Sequence, residues 1–177
     1  MFIMLDPGHG GDDPGAIYNG LQEKDITLYL SLRLKEVLEA DYNIKTLITR
    51  SSDSYIALSE RAYMANHANV DCFISLHNNA GKGTGFESYI YPGLQGTRTN
   101  NMQNIIHETV MNFYKEYELR DRGKKEASFQ VLKETFMPAI LLENLFVDHT
   151  YDNSLLRDNS FLNSLAKAIA LGISKFS

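Results

Sequence analysis

Phe2-Ile3-Met4-Leu5-Asp6-Pro7-Gly8-His9-Gly10-Gly11 is a short apolar run that stops abruptly in a glycine-rich loop around one histidine. A continuous apolar run suits a strand covered on both faces, as in a parallel sheet. The three glycines leave the His9 side chain unhindered and let another group approach the backbone closely. The same arrangement recurs twice: Cys72–Leu76 leads into His77-Asn78-Asn79, and Ala139–Leu142 leads into Glu143-Asn144. Three groups able to ligate a metal or move a proton, His9, His77 and Glu143, thus follow the C-terminal ends of three separate strands. In open α/β sheets, sites form along that edge.

Working outward, the spacing predicts strands at Phe2–Leu5, Ile44–Ile48, Cys72–Leu76, Phe86–Tyr91, Phe129–Leu132 and Ala139–Leu142. Helical periodicity is clear in Ile26–Leu38 and Met102–Tyr117, and in a stripe of Phe161, Leu162, Leu165, Ile169, Ile173 and Phe176. A shorter helix is expected over Leu58–Ala68, ending at Asn69, with Asn159 or Ser160 capping the last one. Short apolar runs alternating with amphipathic segments make an α/β protein. The expectation is a single domain over 1–177, with a twisted, mostly parallel mixed sheet of about six strands and helices on both faces.

Composition removes several alternatives. The net charge is -5, and the nearest approach to a basic cluster, Arg120, Arg122, Lys124 and Lys125, is broken by Asp121 and Gly123. No nucleic-acid partner is expected. That segment is expected to be a solvated loop, or else a rim contact for an acidic polymer. No apolar run approaches the roughly 20 residues of a membrane helix, so no membrane insertion is expected. Cys72, the single cysteine, lies in an apolar stretch and suits a small buried hydrophobe. Met1–Leu5 is too short for a secretory leader.

A fourth chemical group is Glu23, just before the helix near Ile26. A carboxylate there is often only a partner of the helix dipole. In combination, however, two histidines and one carboxylate make a set found in catalytic zinc sites that keep a position for water. A second carboxylate can then serve as general base and acid.

In order, Asp6-Pro7-Gly8-His9-Gly10-Gly11, Glu23-Lys24-Asp25-Ile26, Ser75-Leu76-His77-Asn78-Asn79-Ala80 and Pro138-Ala139-Ile140-Leu141-Leu142-Glu143 span nearly the whole chain, with Arg61-Ala62 and Arg122-Gly123 between them. This series resembles the motifs of the third class of zinc-dependent N-acetylmuramoyl-L-alanine amidases, which includes bacterial wall amidases, or autolysins, and phage endolysin catalytic domains. The resemblance implies that His9, Glu23 and His77 hold Zn2+ and that Glu143 is the catalytic carboxylate. It implies a peptidoglycan hydrolase that cuts the amide between N-acetylmuramic acid and L-alanine and works on the wall; a monomer is expected. Such an enzyme would be released by phage-type lysis or carry a leader outside this sequence. Asn78 stands where that family often has a small residue, and Asn144-Leu145 where a small residue followed by Gly is common.

Two other functions compete: a zinc peptidase cutting within the stem peptide, and a wall-binding module without turnover. A degenerate module should lack a ligand or the glutamate, and all four residues are present. The remaining histidines suit structural roles: His107 on the flank of a helix stripe, His67 near a helix C-terminus, and His149 in a polar loop, with a contact near the site as its alternative.

Overall fold

The computed structural model describes residues 1–176. In chain order the strands and helices are β1 (Phe2–Pro7), β2 (Ile17–Tyr18), β3 (Leu21–Gln22), α1 (Glu23–Tyr42), β4 (Lys45–Ile48), α2 (Leu58–Ala68), β5 (Cys72–Asn79), β6 (Phe86–Ile90), α3 (Arg98–Tyr114), β7 (Asp121–Glu126), α4 (Gln130–Lys133), β8 (Ala139–Phe146), α5 (Thr150–Leu156) and α6 (Asn159–Phe176). Six strands form one sheet in the order β4-β1-β5-β8-β6-β7, while β2 and β3 make a small hairpin. Within the sheet every neighbouring pair is parallel except β6 with β8. The α/β expectation of a mostly parallel mixed sheet therefore holds.

Strand alternation sends Ile3, Leu5, Cys72, Ile74, Leu76, Ile140 and Leu142 to one face, where they pack with α1, α3 and α6. On the opposite face Met4, Phe73, Ala139 and Leu141 share a smaller buried cluster with Ala65 and Val70, from the region of α2, and Val131 and Leu132 of α4, edged by partly buried residues such as Met64, Tyr89 and Met137. The first face carries three long helices; the second carries an 11-residue helix and a single turn of four. Cover on that second face is consequently thin. The odd-numbered residues His77 and Glu143 share it with Phe73 and Leu141, so the sheet's polar strand ends open there.

One predicted strand is corrected. Phe129–Leu132 contains the start of α4 rather than a strand, and the sixth strand is β7, placed by its sequence in a solvated loop. Four apolar-leaning residues cannot distinguish a strand from a helical turn. β7 is an edge strand with only β6 beside it, and charged side chains are what an edge tolerates. Gly85 lets the two chains meet: a Cβ there would lie 2.0 Å from the Arg120 carbonyl oxygen. Cys72 is fully buried, and burial pushes its thiol up to about 12. Among the described residues no helix is long and apolar enough to cross a membrane.

Candidate active site

Three donors converge above the ends of β1 and β5. His9 stands in the loop after β1, Glu23 is the first residue of α1, and His77 lies near the end of β5. One ligand atom from each lies within 4.8 Å of the others. The Glu23 carboxylate bridges the two rings, with Oε2 at 3.1 Å from His9 Nε2 and Oε1 at 3.0 Å from His77 Nδ1. The same oxygens accept N–H groups from Ala16 and Asn78, both at 2.9 Å, which fixes the carboxylate plane. His9 takes φ of 62°, a left-handed conformation that turns its ring back over the loop. Its Nδ1 donates to Asp13 at 2.9 Å, leaving Nε2 directed at Glu23.

A buried network holds the His9 loop from below. Asp6, fully buried, accepts from Thr49, Arg61 and Ser75. Arg61 also donates to the carbonyls of Ile56, Pro7 and His9. Arg50 donates to the carbonyls of Pro7, Gly8 and Lys24. Two guanidinium forks thus satisfy backbone oxygens of β1's end, its loop and the start of α1 together, which registers His9 against Glu23.

Burial disfavours charge on His9, but its bonds to Glu23 and Asp13 outweigh that and raise its pKa to about 9. Burial opposes charge on His77 too, and Glu23 again overrides it in the upward direction. Glu23, where burial alone would favour the neutral acid, is held well below the usual carboxylate range by the two rings. The cluster therefore behaves as an anion shared between two cations. That is the charge balance expected where a divalent ion can replace the ring protons.

Glu143 lies in register between His77 on β5 and Glu87 on β6. Cross-strand partners share a face, so His77, Glu143 and Glu87 form a row across three strands. Burial, partly offset by His77, pushes the Glu143 carboxyl up to about 7. Its Oε2 is sealed from solvent and has no hydrogen-bond partner. His9, Glu23, His77 and Glu143 all line one cavity of about 410 Å³, walled also by Leu58, Asn79, Phe129 and Val131.

Both the sequence and the fold have known counterparts. The sequence matches the N-acetylmuramoyl-L-alanine amidase family profile over residues 3–175. The chain belongs to that family. It is similar to the N-acetylmuramoyl-L-alanine amidase CwlM of Bacillus licheniformis, with 48% identity over 174 residues, 98% of this chain and 67% of that protein. It is 42% identical to the endolysin of Bacillus phage SPP1 over 175 residues, 98% of this chain and 65% of that one. Among solved structures, an N-acetylmuramoyl-L-alanine amidase from Clostridium difficile 630 superposes with a TM-score of 0.93 at 30% identity, covering 99% of this chain and 95% of that one. This chain spans about two thirds of the length of the two curated relatives.

Within this amidase fold the four residues singled out by motif come together, and others prove structural. His67 is in the last turn of α2, stacked on Tyr63. His149 caps α5 and bonds to Asp152, away from the cavity lining. His107, expected on the flank of the stripe at a helix surface or boundary, is 2% exposed, accepting from Ser88 and donating to Asp121. β6 and the start of β7 cover it, which a helix pattern alone does not reveal. Asp13, Arg50 and Glu87 carry positions that sequence reasoning missed. Glu87 had a signal: a carboxylate inside the expected strand Phe86–Tyr91, which otherwise holds only Ser88 and large apolar or aromatic residues. Leu145 takes φ of 66°, a left-handed conformation favouring the glycine that the family often has there.

Proposed function

We propose that this domain hydrolyses the amide joining N-acetylmuramic acid to L-alanine in peptidoglycan, with His9, Glu23 and His77 holding zinc and Glu143 as the catalytic carboxylate. The observation that carries the proposal is the meeting of that two-histidine, one-carboxylate set with a partnerless Glu143 in one cavity. The donor set fits the ion. Its 4.8 Å spread can close on ligand distances of about 2.0–2.2 Å. His9 is already oriented through its other ring nitrogen by Asp13.

When bound, zinc supplies Lewis-acid polarisation and a water more acidic than bulk water. The protein supplies the rest. Glu143, a cavity-lining carboxylate with no competing donor, can accept a proton from the attacking water. A carboxyl near pKa 7 can then return that proton to the amide nitrogen, a poor leaving group until protonated. Leu58, Phe129 and Val131 give one side of the cavity an apolar wall. Membership of a family that includes CwlM, and likeness to a phage endolysin, support the cell wall as the place of action.

Mass spectrometry of muropeptides after digestion of purified walls tests the reading. Products with a new amine on L-alanine and an intact muramic acid are expected, and they should vanish on chelation and return with zinc. A new amine further along the stem would instead mark a stem peptidase. Full activity in a demonstrably metal-free sample would overturn the metal assignment.

A further inference from the structure

The row His77–Glu143–Glu87 does not end at the third strand. Glu87, 3% exposed, is met by Arg122 Nε at 2.9 Å and by the ammonium of Lys125, both from β7. Its other oxygen takes the Asn79 amide at 2.5 Å and the Tyr89 hydroxyl at 3.0 Å. Asn79 itself lines the catalytic cavity, so this cluster abuts the cavity wall. Two cations serve one carboxylate. A single cation would neutralise Glu87; the second is left to face the neighbouring cavity, whose nearest carboxylate in the row is Glu143.

The way Arg122 is held matters more than the count. Its Nε is occupied by Glu87, and its guanidinium lies over the Phe146 ring at 4.7 Å from the centroid. Among the described residues its two terminal nitrogens donate to no protein acceptor. The side chain is 26% exposed, so those nitrogens are not sealed in the core. A guanidinium fixed by a carboxylate on one edge and an aromatic ring on its face, with the remaining donors unpaired, suits bidentate capture of a planar anion. Such preorganisation lowers the entropy cost of binding.

We propose that Arg122, backed by Lys125, is an anchor for a carboxylate of the stem peptide. The anchor rests on the amidase reading and refines it. It places the peptide side of the substrate over β6 and β7, with the scissile amide over Glu143. A row that begins at the metal ligands thus ends at a charge-selective subsite. Of the two readings its composition allowed, a solvated loop or a rim contact for an acidic polymer, the anchor gives the β7 edge the second.

The test uses two synthetic muramoyl peptides that differ only in whether a stem carboxylate is free or converted to its primary amide. Binding is measured by calorimetry on zinc-loaded protein carrying Glu143→Gln, in which both compounds stay uncut, and release of the peptide by the parent is followed separately. With Arg122 in place, that protein is expected to bind the free acid roughly 10- to 100-fold more tightly than the amide, as for one charge-assisted pair. Arg122→Gln should abolish that preference, weakening binding of the acid far more than that of the amide, while leaving zinc content unchanged. Arg122→Lys, which keeps the charge without the fork, should retain part of it and replaces Arg122→Gln if that variant does not fold. Equal affinities with Arg122 in place, or a preference that survives both substitutions, would overturn the anchor. Failure of the amidase reading would show separately, as no peptide release from either compound, because the calorimetric comparison needs no turnover.

Discussion

Replacing Gly8 by Ala probes how closely the β1 loop presses on a proposed zinc ligand. A Cβ at position 8 would lie 2.3 Å from His77 Cε1, 2.5 Å from Nε2 and 2.6 Å from Nδ1, whereas ordinary contact begins near 3.4 Å. The 2.3 Å approach must open by about 1.1 Å for the ring to be accommodated. The backbone offers no easy escape, because Gly8 N donates to Leu76 O at 3.0 Å and its carbonyl is held by Arg50 and Thr27. The ring is confined as well, bonded to Glu23 and with the His9 ring 4.9 Å away. His77 therefore has to move. Misplacing a ligand on this scale should weaken zinc binding by about 10- to 100-fold. Turnover at saturating zinc should fall by about 100-fold, as misplacement by 1 Å can cost. Overpacking should also lower stability by about 1–3 kcal/mol. Zinc affinity is read by competition with a chromogenic chelator, turnover by muropeptide release, and folding by a thermal melt. A folded Gly8→Ala protein with parental zinc affinity would refute the reasoning, since the ring would then have had room.

Further outcomes separate the roles of other residues. Glu143→Gln should keep its zinc while turnover falls by about 10²–10⁴-fold, whereas Glu23→Gln should lose zinc; metal stoichiometry beside muropeptide release decides, and the reverse pattern would exchange the two assignments. Asp6→Ala leaves the Arg61 guanidinium buried without its carboxylate, so chemical denaturation should show a loss of about 3–5 kcal/mol; a change below about 1 kcal/mol would mean the network is dispensable. Burial, outweighing Asp121, lowers the His107 pKa, so the unfolded chain binds its proton more readily than the native one. That contribution to stability is complete above the unfolded value of about 6.5 and is lost as pH falls through the lower folded value. The stability gap between parent and His107→Gln should accordingly narrow on acidification, with zinc content alike in both; a gap that widens would reverse the sign.

Residues adjacent in sequence supplied much of this protein's description. Apolar runs ending at His9, His77 and Glu143, and helical stripes in Ile26–Leu38 and Met102–Tyr117, depend on spacing within single short segments, which side-chain periodicity records directly. These carried the fold class, four of the motif positions and the family resemblance. Tertiary structure decided what depends on pairing across long separations. Glu23 bonds to a histidine 54 residues away, and no local pattern distinguishes that carboxylate from a helix-dipole partner. Register alone put Glu87 beside Glu143, and neighbouring strands alone made Asp121–Glu126 a strand and buried His107. A charged segment becomes an edge strand because a neighbour satisfies its backbone, not because its side chains prefer one. Local chemistry named the reacting groups; strand order and the thin cover of one sheet face brought them into one cavity.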